Sequence, residues 1–223
     1  MKCRAFLFDF DGTVLNTDSL IENSWRCALN LLNVDVEQAL QDVYSDYGKT
    51  LEEVVKTVAD KYGVKDYDIN TVHNHYWDYH YGHHHEIDGP YPSIREALEA
   101  LKKAGALIGI VTSGEERSCR AEAEEFAISQ YIDCIVGSEV DEPKPSPRPA
   151  LLCCEKLGVS PKEAMLIGDS RHDMACGKRA GCTTAMVGWS QMRQIKLEGF
   201  EKPDIIIDDC MELLKYIKYE EIE

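Results

Sequence analysis

A mostly apolar run at residues 4–10 predicts a buried strand close to the start of the chain. From Asp18 to about His85 the pattern changes. Apolar residues recur at spacings of three and four, which predicts helices. Leu20, Ile21, Trp25, Ala28, Leu29 and Leu32 mark one face, and Leu51, Val54, Val55, Val58 and Tyr62 another. Gly48 and Gly63 punctuate this stretch, and Gly89-Pro90-Tyr91-Pro92 breaks it as a hinge or linker would. The rhythm then alternates. Strands are predicted at Ala106–Thr112, Ile132–Val136, Ala164–Gly168, Thr184–Val187 and Ile205–Ile207. Helices are predicted at Ser93–Ala104, Glu115–Phe126, Pro149–Leu157 and Asp173–Ala180, with a last one starting at Met211.

Short apolar strands alternating with helices imply an α/β fold, a doubly wound, Rossmann-like parallel sheet covered on both faces. The expected division is an α/β core of residues 1–14 and 90–223, with a helical domain of residues 15–89 inserted after the first strand. Ligands of such sheets bind at the carboxyl ends of the strands.

Composition narrows the partners. The formal charge of −16 argues against a nucleic-acid partner, which would draw on clustered Lys and Arg. A small anionic substrate stays possible, because a bound cation reverses the field locally. Nine cysteines occur without any CxxC spacing, so reduced thiols packing as small apolar groups are expected rather than a disulfide framework. No signal peptide or run of ~18 apolar residues is visible, and a cytoplasmic protein without membrane association is expected.

The strand ends carry the chemistry. The first ends in Asp9-Phe10-Asp11-Gly12-Thr13, the second in Val111-Thr112-Ser113-Gly114. The third leads to Pro143-Lys144-Pro145, and the fourth ends in Gly168-Asp169-Ser170-Arg171-His172-Asp173. Strand alternation would send Asp9 and Asp11 to one side, with Phe10 buried opposite. Paired carboxylates at that spacing repel unless a cation or a proton-transfer role explains them. Together with Asp169 and Asp173 they make a hard-oxygen site suited to Mg²⁺. One carboxylate can attack phosphorus while the other carries the leaving-group proton. Thr112, Ser113 and the backbone at Gly114 offer donors to a phosphoryl oxygen, and Lys144 a compact positive charge. Other motifs fail on single residues. An EF-hand loop would need an acid at Leu7, a P-loop before Gly48-Lys49-Thr50 would need a glycine at Val43, and no GxSxG occurs.

These motifs resemble those of the haloacid dehalogenase (HAD) superfamily of phosphohydrolases. DFDGT is similar to its DxDGT, VTSG to its second motif, Lys144 to its basic third motif, and GDSRHD to its GDxxxD. The helical insertion resembles the subclass with a small bundle cap. Within it the chain looks like phosphoglycolate phosphatases and their pyrophosphatase relatives, with LNTDSLIENS and MVGWS nearest the latter. The resemblance implies an aspartyl-phosphate mechanism, with Asp9 as nucleophile and Asp11 as general acid/base. It implies that Asp9, the Asp11 backbone carbonyl and Asp169 ligate Mg²⁺, with Asp173 holding a metal-bound water. Thr112, Ser113 and Gly114 would bind the phosphoryl group, and Lys144 would steady both nucleophile and phosphate.

Dehalogenases of the superfamily lack the second aspartate, present here as Asp11. β-Phosphoglucomutases carry a cap histidine and a cap arginine that would fall at Ile21 and Leu51, which speaks against a mutase. The expected activity is hydrolysis of a small phosphate monoester, phosphoglycolate-like first, by a monomer or homodimer. Inorganic pyrophosphate, phosphotransfer of the mutase type, and a phosphometabolite binder with little turnover are the alternatives. Two segments stand outside the motifs. His80 and His84 could share a helix face, but no carboxylate or cysteine matches them, so packed aromatics and solvated histidines are expected. Tyr47-Gly48-Lys49-Thr50 is a candidate substrate contact, or a helix start in which Thr50 caps and Glu53 completes the box.

Overall fold

The computed structural model describes residues 2–45, 50–191 and 197–218. Its frame is a six-stranded, all-parallel sheet in the order β3-β2-β1-β4-β5-β6. The strands are β1 (Ala5–Phe8), β2 (Leu107–Val111), β3 (Cys134–Val136), β4 (Ala164–Gly168), β5 (Thr183–Val187) and β6 (Ile205–Ile207). β1 is central because it is apolar throughout: its four residues are wholly buried. That suits a strand covered on both faces by crossover helices. Leu7 lies in register with Gly109 on one side and Leu166 on the other. Strand order reverses at β1, so the carboxyl ends of β1, β2 and β4 lie side by side, ~4.8 Å apart per strand.

Two compact units are present, Met1–Asn16 with Gly89–Glu223, and Thr17–Asp88. In the first, α7 (Arg148–Leu157) packs on β1, β2 and β3, α8 (Arg171–Ala180) on β4 and β5, α5 (Ile94–Lys103) on β2 and α6 (Glu116–Glu125) on β3. Cys153, Cys154, Cys176 and Cys182 share a buried cluster with Ala5, Leu7 and Leu166, as small apolar groups do. All nine thiols are free. Among the described residues no helix is long and apolar enough to cross a membrane.

The second unit holds α1 (Asp18–Asn30), α2 (Val36–Ser45), α3 (Leu51–Tyr62) and α4 (Ile69–Gly82). α1 packs against α4, where Trp25 meets Tyr76 edge-on at 5.0 Å between ring centres. Thr50 starts α3 with a complete capping box: Glu53 N–H donates to its hydroxyl and Thr50 N–H to the Glu53 carboxylate. The other candidate contact residues, Tyr47, Gly48 and Lys49, lie outside the described residues.

Three expectations need correction. The first strand stops at Phe8 rather than running to residue 10, because the Phe10 carbonyl accepts from Val14 N and Leu15 N and draws the chain into a turn. The last helix is a 3₁₀ segment, Cys210–Tyr216. It is capped by Asp209 and Glu212 at one end and tied by the Cys3–Ile217 bridge at the other. Held between these ends, seven residues take the form with the longer rise. His84 opens a separate 3₁₀ turn rather than continuing α4, and His80 is half-buried rather than solvated. Burial, then the neighbouring His84, lowers the His80 pKa to about 4.

Gly177 tests the packing of α8 on the sheet. Alanine in a helix normally gains about 1 kcal/mol over glycine. Here an added Cβ would lie 2.7 Å from Thr184 Cγ2 and 3.0 Å from Leu166 Cβ. Overpacking of that kind costs roughly 1–3 kcal/mol, so Gly177→Ala is expected to lower stability despite its better propensity. Urea denaturation of the two proteins decides the sign.

Candidate active site

Four of the expected residues converge where β1, β4 and the loop before α7 meet. Asp9 follows β1 directly, and its N–H donates to Ile167 O of β4 at 2.8 Å. Asp169 follows β4, and Asp173 lies in the first turn of α8. One carboxylate oxygen from each of Asp9, Asp169 and Asp173 lies within 4.8 Å of the others, and all three side chains are buried. Lys144 reaches this group from between its two prolines. Its Nζ donates to Asp9 Oδ1 at 2.7 Å and Asp173 Oδ1 at 2.6 Å.

Local sequence explains each placement. Ser170 is the N-cap of α8, with a reciprocal box to Asp173. The Ser170 hydroxyl donates to Asp173 Oδ2 at 2.5 Å and its N–H to the same oxygen at 3.1 Å. Both Asp173 oxygens are therefore engaged, one by the cap and one by Lys144. Gly12 lets the chain turn away from β1. Its φ of +73° suits glycine, and an ideal Cβ there would meet Asp169 Oδ2 at 2.3 Å.

Asp11 does not join the carboxylate group. It belongs to the turn, so strand alternation does not place it beside Asp9. Its Oδ2 lies 3.9 Å from the ideal Cβ position of Gly114, at the end of β2. Thr112 is buried there, 3% exposed, while Ser113 and Gly114 are exposed. Gly114 N–H donates to Thr112 Oγ at 3.0 Å, and the first N–H of α6, from Glu116, is taken by Glu139. Part of the donor set expected for a phosphoryl group is thus satisfied internally. The Thr112 hydroxyl keeps its own proton to donate.

The electrostatics follow from burial. Desolvation, then the like charge of Asp173, raises the Asp9 pKa to about 7 against the pull of Lys144. Desolvation, then Asp9 and Asp173, pushes Asp169 well above the carboxylate range. Burial works against the Lys144 ammonium, but Asp173 and Asp9 outweigh it and the net shift is upward. If all are ionised, three carboxylates face one ammonium and two negative charges are left over. An oxygen-only donor set with surplus negative charge fits a hard divalent cation such as Mg²⁺ better than a soft one.

Two contributors come from a strand end that carried no expected chemistry. After β5, Ser190 donates its hydroxyl to Asp169 Oδ2 at 2.9 Å, and Trp189 Nε1 donates to Thr13 O at 3.0 Å. The available signal was position: Gly188-Trp189-Ser190 stands at the same sheet edge as the other motifs. Among the described residues the histidines of 73–85 form no metal-competent group; the one found is Asp9, Asp169 and Asp173. Arg171 pairs with Glu201 at 2.8 Å.

Removing one member of a buried ion cluster leaves the others uncompensated. Lys144→Met is expected to cost about 3–5 kcal/mol in the metal-free protein at pH 8, read by urea denaturation. The Asp9 carboxyl, with its pKa raised from 3.8 to about 7, acts in the opposite sense. It binds its proton more tightly folded than unfolded, so its contribution to stability is full below pH 4 and is lost as pH rises to about 7. In chelator, stability of the wild type is expected to fall across that window, and Asp9→Asn to flatten the fall.

Comparison with known proteins places these motifs. The family model for haloacid dehalogenase-like hydrolases matches residues 6–187. A Clostridium perfringens protein provisionally named pyrophosphatase PpaX is 32% identical, covering 96% of this chain and 97% of its own. Pyrophosphatase PpaX of Bacillus cereus strain Q1 is 30% identical over 96% of both chains. The crystal structure of a Haemophilus somnus protein inferred to be a phosphoglycolate phosphatase superposes with a TM-score of 0.77 at 24% identity, covering 96% of this chain and 98% of its own. The family model spans most of the chain and the Clostridium perfringens relative is 32% identical over nearly its whole length: the chain belongs to the haloacid dehalogenase-like hydrolases and is a phosphohydrolase of that family.

Proposed function

We propose that the chain is a Mg²⁺-dependent phosphatase that moves a phosphoryl group from a small phosphate compound to Asp9 and then to water. The carrying observation is the buried convergence of Asp9, Asp169 and Asp173 around the Lys144 ammonium. Asp9, Asp169 and the Asp11 backbone carbonyl would hold the ion, with Asp173 behind them. When bound, Mg²⁺ supplies charge neutralisation for the phosphoryl oxygens and relieves the repulsion among the carboxylates.

The chain's own residues supply the rest. The Asp9 carboxylate attacks phosphorus, the bond to the leaving oxygen breaks, and an aspartyl-phosphate forms. Asp11, outside the carboxylate group, gives its proton to the leaving oxygen and takes one back from the water that attacks the intermediate. Phosphate leaves and the Asp9 carboxylate is restored. Lys144 holds Asp9 oriented by the 2.7 Å hydrogen bond, and Thr112 donates to a phosphoryl oxygen. The substrate is a phosphoglycolate-like monoester. Inorganic pyrophosphate is the second substrate class, favoured by the relatives named PpaX.

Phosphate release from phosphoglycolate and from pyrophosphate, each with Mg²⁺ and with chelator, tests these assignments. Release is expected to need the metal and to disappear in Asp9→Asn. Asp11→Asn is expected to lower kcat about 10²–10⁴-fold, the range for a lost general acid. Equal rates for wild type and Asp9→Asn overturn the nucleophile assignment, and the ratio of the two substrates' kcat/KM values ranks the substrate classes.

A further inference from the structure

We infer that Ser190, just beyond the end of β5, is a positioning residue for Asp169. The inference rests on the proposal above that Asp169 holds Mg²⁺. Ser190 is 2% exposed and Asp169 1% exposed, so neither group hydrogen-bonds freely to solvent. Lys144 serves Asp9 and Asp173. Among the described residues, Ser190 is the side chain that donates to Asp169.

The placement is confined from two sides. An ideal Cβ on Gly12 would lie 2.3 Å from Asp169 Oδ2 and 3.5 Å from Ser190 Oγ, so that oxygen sits wedged between the turn after β1 and the loop after β5. The same turn and loop are joined a second time, by the indole of Trp189 on the carbonyl of Thr13 at 3.0 Å. An ionised carboxylate only accepts, so the serine proton must point at it. With Oδ2 held, rotation of the carboxylate about its last bond is restrained, which biases the direction in which it presents its second oxygen. Outer hydrogen-bond partners of metal ligands act in this way, and their loss typically costs 10–100-fold in metal affinity.

Two variants separate donation from bulk. Ser190→Ala removes the hydroxyl, and Ser190→Cys keeps the shape with a weak donor. Magnesium chloride is titrated calorimetrically into the full chain, and phosphate release is measured over a range of Mg²⁺ concentrations. Both variants are expected to raise the Mg²⁺ Kd about 10-fold or more, with the larger loss in Ser190→Ala. Substrate KM at saturating Mg²⁺ is expected to hold, and kcat to recover as Mg²⁺ is raised, which a merely structural lesion would not allow. A wild-type Mg²⁺ Kd in either folded variant overturns the role of Ser190 while leaving the metal-dependent phosphatase intact. Wild-type protein that binds no Mg²⁺ and hydrolyses without it overturns that activity reading, and this inference with it.

Discussion

Three carboxyl groups and one ammonium share a space from which water is nearly excluded, and fully ionised their charges would not balance. Burial alone would protonate the acids and discharge the lysine. Their proximity keeps the lysine charged, because each of two carboxylates lies within 2.7 Å of its nitrogen. The reverse is incomplete: one ammonium cannot hold three acids ionised. The site is therefore a poor stabiliser of the fold, and its oxygen donors suit the divalent cation proposed above. A chain that kept only a stable core would have no use for such an arrangement.

That local cost is carried by the frame around it. β1 and β4 are wholly buried, and α8 covers β4 and β5 so closely that a Cβ on Gly177 would collide with Leu166 and Thr184. Cysteines fill gaps in the same core as compact apolar groups. Rigid strands hold their ends in fixed relation, so side chains just beyond those ends can be placed to within hydrogen-bond tolerance. The capping box of α8 extends this precision one step further, because Ser170 orients Asp173 as it starts the helix.

The division of labour proposed for Asp9 and Asp11 has its basis in where the backbone leaves the sheet. Had β1 continued to residue 10, Asp9 and Asp11 would have shared one face and one environment. Because the chain turns at Phe10, Asp9 enters the buried cluster while Asp11 lies by Gly114 at the end of β2. Two acids two residues apart thus meet different surroundings, the usual basis for giving one a nucleophilic and the other a proton-transfer role.

Apolar periodicity and the DFDGT, VTSG, lysine and GDSRHD stretches made the strand order class, the edge that bears the chemistry and the family legible from residue types alone, since both pleat and helix spacing are nearest-neighbour properties of a chain. Boundaries were less legible: the early end of β1 and the 3₁₀ form of residues 210–216 come from hydrogen bonds to distant partners and to turns. The bridging of Asp9 and Asp173 by Lys144, the absence of the Asp11 carboxylate from the buried group, and the hold of Ser190 on Asp169 join residues up to 135 positions apart. The motifs brought Lys144 to Asp9 as an expectation, but no local pattern encodes its second bond to Asp173, the exit of Asp11 or the hold of Ser190. Such meetings arise when the order β3-β2-β1-β4-β5-β6 brings the ends of non-consecutive strands together, and a serine after β5 gains a role only there.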